Sequence, residues 1–96
     1  MGGQRERRQH PRTNIAWPVL IEVGKRRHPC QAIDISAHGA KITPKLPLRS
    51  GTVVRLQFVP PDGPPLRVGA LVWRVDADGV AFFFGRSIHH PVIRSA

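Results

Sequence analysis

Cysteine, long apolar runs and metal-binding clusters are almost absent from this sequence. The single cysteine, Cys30, cannot form an internal disulfide. No apolar run approaches the ~20 residues of a membrane-spanning helix, and the polar residues that follow Met1 do not have the pattern of a signal peptide. The histidines lack the spacing of zinc ligands. We therefore expect a cytoplasmic protein that binds no metal and does not insert into a membrane.

Acidic residues are also few. The 96 residues include six Asp and Glu against 15 Lys and Arg, which gives a formal net charge of +9. This excess predicts attraction to phosphates, acidic protein surfaces or anionic lipids, and charge alone does not choose among them. With 41% hydrophobic residues, the chain has enough apolar side chains for one modest core and not for two.

The N-terminal stretch, residues 1–14, has almost no apolar side chains. It therefore predicts a flexible basic arm, because a segment of this composition cannot contribute to a core. The densest basic cluster of the whole chain lies in this arm and includes Arg7, Arg8 and Arg12. The other Lys and Arg residues are scattered and are expected on solvated strand faces.

Six short stretches between residues 15 and 85 alternate apolar and polar residues with the period of a β-strand. Ten prolines and nine glycines fall mainly between these stretches, and no helical period is found among them. The pattern predicts an all-β domain, a six-stranded antiparallel β-barrel over residues 15–85. Residues 86–96 are expected to form a short C-terminal tail or helix, which Pro91 would interrupt.

Strict alternation in the second predicted strand would place Cys30, Ala32 and Asp34 on one face. Ile33 and Ile35 would then lie on the opposite face. This arrangement makes a definite prediction for the orientation of every side chain in the strand.

The longest apolar run, Leu66 to Val75, predicts the fifth strand. Trp73 lies in this run and is expected to be a core residue, because the run is the most apolar in the chain. The residues Asp78 and Gly79 that follow are typical of a tight turn, so the fifth and sixth strands are expected to form a hairpin.

The stretch from Asp34 to Gly39 is the first candidate for a binding site, because an apolar strand breaks there into a polar turn. Asp34 and Ser36 are two residues apart, so both side chains would project to the same side of a strand. Gly39 could adopt a positive φ or let a ligand approach the backbone. His38 lies in the same turn.

Two motifs of the chain, in this order, resemble the paired motifs of PilZ domains. The first is Arg8-Gln9-His10-Pro11-Arg12, an Arg-x-x-x-Arg motif, and the second is Asp34-Ile35-Ser36-Ala37-His38-Gly39, an Asp-x-Ser-x-x-Gly motif. The similarity covers roughly residues 5–85 and includes Val72-Trp73 and Gly79-Val80-Ala81-Phe82. Either motif alone is a weak signal, whereas both together on six predicted strands are fairly specific.

The resemblance implies a PilZ-like split barrel that binds the bacterial second messenger cyclic di-GMP, needs no cofactor and is not an enzyme. Carried over by motif position, the ligand-binding residues are Arg7, Arg8, Arg12, Asp34, Ser36 and Gly39. Trp73 and His38 are additional candidate contacts. The resemblance also implies a downstream protein that reads the bound state, and the sequence does not identify that protein.

The chemistry of these residue types suits such a ligand. An arginine fork forms two parallel hydrogen bonds with the O6/N7 edge of guanine or with a phosphate. An ionised aspartate accepts hydrogen bonds from the N1–H and N2–H edge of guanine, and a serine hydroxyl donates to a phosphate. We expect the arm to become ordered over the ligand, so that binding changes the shape that a partner protein meets.

Two other functions compete with this hypothesis. A small basic barrel can bind single-stranded nucleic acid, but it then needs exposed aromatic rings, and most of the six aromatic residues fall in apolar alternation. Nucleic acid is therefore the less favoured partner. A domain with the same fold could also serve only as a protein-interaction module, which the intact motif residues argue against.

Overall fold

The fold consists of six antiparallel strands. The structure is a computed structural model that describes residues 13–91 and 93, with side chains from residue 16 onward. The strands are β1 (Thr13–Val23), β2 (Arg26–Ile35), β3 (Gly39–Thr43), β4 (Val53–Phe58), β5 (Leu66–Asp76) and β6 (Gly79–Phe84). No helix is present among these described residues.

The strands close into a barrel in the order β1-β2-β3-β6-β5-β4. Closure comes from β1, which pairs with β2 and also, through residues 19–22, with residues 55–58 of β4. Closure of the barrel reduces the length of sheet edge that is open to pairing with another chain. The prediction of a six-stranded antiparallel β-barrel is confirmed.

One face of each strand fills the barrel interior. In β1 and β4 the inward residues follow the alternation of the sequence, and Ile21, Leu56 and Phe58 are completely buried. Burial of one such side chain contributes about 1.5–3 kcal/mol relative to leaving it exposed. The apolar residues that form the core are Trp17, Val19, Ile21, Ala32, Ile35, Ala37, Ala40, Ile42, Val54, Leu56, Phe58, Val68, Ala70, Val72, Val80, Phe82, Ile88 and Ile93.

A β-bulge interrupts the alternation in β2. Ile33 is one extra residue between Ala32 and Asp34 in the pairing with β3. Ala32 and Ile35 are therefore both buried, although they lie three residues apart. The strict alternation predicted for this strand is wrong, because the extra residue reverses its phase. Asp34 consequently leaves the face of Ala32 and lies opposite Lys41 of β3.

A second β-bulge interrupts β5. Trp73 is the extra residue between Val72 and Arg74 in the pairing with β6. Val68, Ala70 and Val72 alternate inward, so Trp73 falls in the outward phase and its side chain is 54% exposed. The expectation that Trp73 is a core residue is therefore wrong.

The predicted hairpin between β5 and β6 is present, with Asp76 opposite Gly79. Its loop residues are Ala77 and Asp78, so Gly79 is the first residue of β6 rather than a turn residue. A Cβ atom at Gly79 would lie far inside contact distance of the carbonyl oxygen of Ile42 in β3. The close packing of β6 on β3 therefore requires a glycine at this position.

The described part of the C-terminal tail packs onto the barrel. Ile88 donates its N–H to the carbonyl oxygen of Ala37 at 2.9 Å, and the side chains of Ile88 and Ile93 are buried. The ring of His90 meets the ring of Trp17 edge-on, with 4.8 Å between centroids. The tail therefore extends the core that the strands form.

We predict that Gly79→Ala destabilises the protein by about 1–3 kcal/mol, because the ladder carbonyl of Ile42 cannot move without disturbing the β3–β6 pairing. The measurement is the midpoint and slope of urea denaturation. The matched control is Gly69→Ala in β5, where an added Cβ meets nothing within 4 Å. That control should be neutral or stabilising by up to about 1 kcal/mol. Equal losses in both variants would contradict the packing argument.

Candidate functional site

The turn between β2 and β3 is held by its own hydrogen bonds. Ser36 donates its N–H to the carbonyl oxygen of Gly39 at 2.9 Å. The Ser36 hydroxyl accepts the N–H of His38 at 3.3 Å and donates to the same Gly39 carbonyl at 3.4 Å. Ser36 is only 7% exposed. Its hydroxyl therefore holds the turn from within.

The structure explains the glycine at position 39 differently from what the sequence predicted. Its φ is not in the positive range, which among the described residues is confined to Gly24 and Gly51. A Cβ atom at Gly39 would lie 2.5 Å from the carbonyl oxygen of Phe82 in β6. The glycine is thus required by the pairing of β3 with β6, with or without a ligand.

A cleft of about 110 Å³ opens beside this turn. It brings three residues of the Asp-x-Ser-x-x-Gly turn together with the outward side chains of β3, β5 and β6. The residues that line it are Ser36, His38, Gly39, Ala40, Lys41, Trp73, Arg74, Ala81, Phe82 and Phe83. The walls combine cationic and aromatic groups, a chemistry that suits an anionic ligand with a flat ring.

A row of paired residues crosses the outer face next to this cleft. Asp34 of β2 lies opposite Lys41 of β3, Lys41 opposite Ala81 of β6, and Ala81 opposite Arg74 of β5. Directly paired residues share a face of the sheet. Asp34 is therefore on the outer face, half-buried, at the end of the row that leads into the cleft.

Trp73 forms the aromatic wall of the cleft. Its ring contacts the ring of Phe83, with 4.7 Å between centroids and an angle of 54° between planes. Phe83 is also exposed, at 46%. The structure thus places Trp73 where a flat ligand ring could stack, together with Ser36, His38 and Gly39.

Lys41 and Arg74 belong to an ionic cluster at the rim of the cleft. The Lys41 ammonium lies 2.8 Å from Asp76 and 3.0 Å from Asp78, and the Arg74 guanidinium lies 3.0 Å from Asp76. The hydrogen bond from Lys41, followed by that from Arg74, lowers the pKa of Asp76 from its ordinary value of 3.8. The bond from Lys41 likewise lowers the pKa of Asp78, and the two carboxylates raise the pKa of Lys41.

Sequence reasoning missed Lys41 and Arg74 as site residues. Lys41 is separated from Asp76 by 35 positions, so its ion pair has no local signature. One signal was present: Lys41 lies two residues after Gly39 on a predicted strand, and residues two apart share a face. Arg74 had no such signal, because the bulge at Trp73 turns the Arg74 side chain to the opposite face from the one that strict alternation predicts.

The predicted arginine site lies outside the described residues. Arg7, Arg8 and Arg12 all precede Thr13, the first described residue. Thr13 lies opposite Ile35, and Asn14 lies opposite Asp34. The chain therefore enters the barrel directly beside the Asp-x-Ser-x-x-Gly turn.

The domain is thus a closed six-stranded barrel with a polar and aromatic cleft beside the β2–β3 turn. Residues 6–92 match the family model of the PilZ domain, and the protein belongs to this family. The predicted resemblance is confirmed. PilZ domains form a cyclic di-GMP receptor family and are receptor or adaptor modules rather than enzymes.

Two solved structures have a similar fold. The Bacillus subtilis inhibitor of motility, MotI/DgrA, superimposes with a TM-score of 0.73 at 21% identity, over 86% of this chain and 44% of that one. The PilZ domain of CeSA from a cellulose-synthesizing bacterium gives a TM-score of 0.69 at 23% identity, over 83% of each chain. The chain thus spans less than half the length of the Bacillus protein. None of the curated proteins compared with this chain matches it.

Two further findings concern residues 13–91 and 93. They include no helix that is long and apolar enough to cross a membrane. They also include no group of three His, Cys, Asp or Glu side chains placed to hold a metal ion.

We predict that the ionic cluster gives stability a pH dependence. Because the folded pKa of Asp76 is lowered, its contribution is fully present above about pH 3.8 and is lost as the pH falls through the folded value. Asp76→Asn should therefore be less stable than the parent at neutral pH, and the difference should shrink below pH 3.8. Urea denaturation across this range measures it.

The control for this prediction is Asp62→Asn, which removes one carboxylate from the exposed loop between β4 and β5. It should leave the denaturation midpoint unchanged at neutral pH. A deficit of Asp76→Asn that persists unchanged at pH values where the carboxylate is protonated would contradict the ionic explanation.

Proposed function

We propose that this protein is a cyclic di-GMP receptor whose N-terminal arm and β2–β3 turn hold the ligand together and whose bound form acts on a partner protein. Arg7, Arg8 and Arg12 supply the guanidinium groups. Asp34, Ser36 and Gly39 form the turn, and the additional contacts His38 and Trp73 lie in the adjoining cleft.

One observation carries the proposal: β1 starts beside the turn. Thr13 is paired with Ile35 and Asn14 with Asp34. Arg12 is the residue before Thr13, and Arg8 lies five residues before Thr13, which an extended chain spans in at most about 18 Å. This short tether supports the placement of both arginines over the cleft that Trp73, Arg74 and Lys41 line.

The two motifs divide the recognition of the ligand. The arm arginines bind the guanine O6/N7 edges and the phosphates with paired hydrogen bonds. Asp34 accepts from the opposite guanine edge, and Trp73 stacks on a base. Ser36 and Gly39 keep the turn in the shape that presents Asp34, because both are committed to contacts within the barrel.

The arm is the moving part in this proposal. Binding orders the arm residues that precede Thr13, the first residue of β1, across the cleft, because the phosphates and guanine edges of the ligand offer the arginines hydrogen-bond partners. The ordered arm and ligand then form a new surface for the partner. The free energy of arm ordering is subtracted from the binding energy, so the affinity reports on both events.

Isothermal titration calorimetry with cyclic di-GMP tests the site. We expect the parent to bind, and Arg8→Ala, Arg12→Ala and Asp34→Ala each to lose about tenfold or more in affinity. A charged hydrogen bond contributes about 1.5–3 kcal/mol, which corresponds to a factor of about 10–150. Trp73→Leu should lose less, because it removes stacking alone.

The matched controls are Arg26→Ala and Lys45→Ala, which remove exposed positive charges away from the cleft. Their affinities should stay within about twofold of the parent. A parent that binds no cyclic di-GMP would rule out the receptor. Loss of affinity in proportion to total charge, with a steep dependence on salt, would indicate a nucleic-acid binder instead.

Hydrogen–deuterium exchange tests the arm. Peptides that cover residues 4–12 should gain protection when cyclic di-GMP binds to the parent, because their N–H groups become enclosed. The Asp34→Ala variant should show little gain at the same ligand concentration. Binding with unchanged exchange in these peptides would contradict arm ordering while leaving the ligand assignment intact.

A further inference from the structure

A row of exposed apolar side chains crosses the barrel beside the cleft. Val53 of β4 lies opposite Leu71 of β5, and Leu71 lies opposite Phe83 of β6. Their exposed fractions are 74%, 39% and 46%. Together with Trp73 they account for four of the five large hydrophobic residues that are exposed in the described part of the chain, and Val59 is the fifth. Clusters of this kind mark interaction surfaces in soluble domains.

The apolar row has a groove beside it. A cavity of about 400 Å³ is lined by the row and by Gly69, Ala70, Phe84 and Gly85. A Cβ atom at Gly69 would meet nothing within 4 Å, so the missing side chain leaves open space in the groove. The groove can therefore accept one or two apolar side chains from another molecule.

Arginines flank the groove on the side away from the cleft. Arg55 of β4 lies opposite Gly69, and Arg67 lies two residues before Gly69 on the same face of β5. Among the described residues neither arginine is ion-paired with a carboxylate, and Arg67 donates to the amide oxygen of Gln57 at 2.9 Å. In the described part of the chain, the one carboxylate that lines the pockets around Arg55 and Arg67 is that of Glu22, which is paired with Arg27 at 3.3 Å. The flank is therefore positively charged.

The apolar groove and its positively charged flank together favour one class of binding partner. A second copy docked on the same face would bring its own Arg55 and Arg67 into the interface, and the residues that line the groove include no carboxylate to pair with them. Single-stranded nucleic acid needs several exposed rings for stacking, and the row offers one, Phe83, since Val53 and Leu71 have none. At the groove, β5 is paired with β4 on one side and with β6 on the other, so it offers no edge to an added strand. A protein segment that carries both acidic and apolar side chains fits this surface, because the apolar side chains match the groove and the acidic ones match the arginine flank.

We propose that the groove formed by Val53, Leu71, Phe83 and Gly69 docks a partner protein through a segment that carries apolar side chains next to Asp or Glu residues. The apolar side chains enter the groove, and the carboxylates lie against Arg55 and Arg67. This assignment deepens the partner half of the proposed function and rests on it. Phe83 lines both the groove and the cleft, so the partner and the ligand contact the same ring.

The test is selection of random peptides displayed on phage against the full-length protein, once without and once with cyclic di-GMP. The enriched peptides should share one or two large apolar residues next to Asp or Glu. Binding of a synthetic peptide of the enriched sequence, followed by fluorescence anisotropy, should weaken by about tenfold or more in Leu71→Ser and in Arg55→Glu. The controls are Val59→Ser and Lys45→Glu, which should bind the peptide like the parent.

Each other outcome overturns the docking proposal. These outcomes are no enrichment, enriched sequences without acidic residues, equal binding by Leu71→Ser, and a dimer in sedimentation that Leu71→Ser dissociates. Tighter binding of an oligothymidine at the same residues would also overturn it.

Cyclic di-GMP affinity is measured in parallel on Leu71→Ser and Val53→Ser, whose side chains lie outside the cleft. A parent that binds peptide but no ligand would refute only the receptor proposal.

Discussion

Two β-bulges place the charged side chains of Asp34 and Arg74 on the outer face of the barrel. With strict alternation, Asp34 would follow Ala32 into the barrel and Arg74 would follow Val72, because residues two apart share a face. One extra residue in β2 and one in β5 reverse the phase before each of these charges. Burial of either charge would be costly, since an unpaired charge in a core loses its hydration. The bulges thus allow apolar side chains of β2 and β5 to fill the core while the charged side chains that follow them lie on the outer face.

The tight seam between β3 and β6 holds the cleft in place. Gly39 faces the carbonyl oxygen of Phe82, and Gly79 faces that of Ile42, so each strand has one glycine where it approaches the other most closely. The cleft lies over this seam, and the apolar row ends beside it at Phe83. A motif glycine that could be read as a ligand contact is therefore first a requirement of barrel packing.

The parts that were predicted from the sequence rest on local chemistry. Alternation in β1 and β4, and turn residues between the strands, were sufficient for the six-stranded barrel, because both depend only on neighbours in the chain. The Asp-x-Ser-x-x-Gly turn was predicted from its motif. The exposure of Trp73 and the burial of Ile35 could not be predicted from the sequence. Both depend on a β-bulge, and a bulge is defined by the pairing with the opposite strand rather than by the local sequence.

The sequence by itself determined that this chain is a basic, all-β domain of the PilZ family, because composition, period and motif spacing are properties of the chain in order. Only the tertiary structure decided that Lys41, Asp76 and Asp78 form one ionic cluster, that Trp73 faces the cleft, and that Val53, Leu71 and Phe83 form one row. These groups come together through strand register, and the register depends on pairing between residues far apart in the sequence.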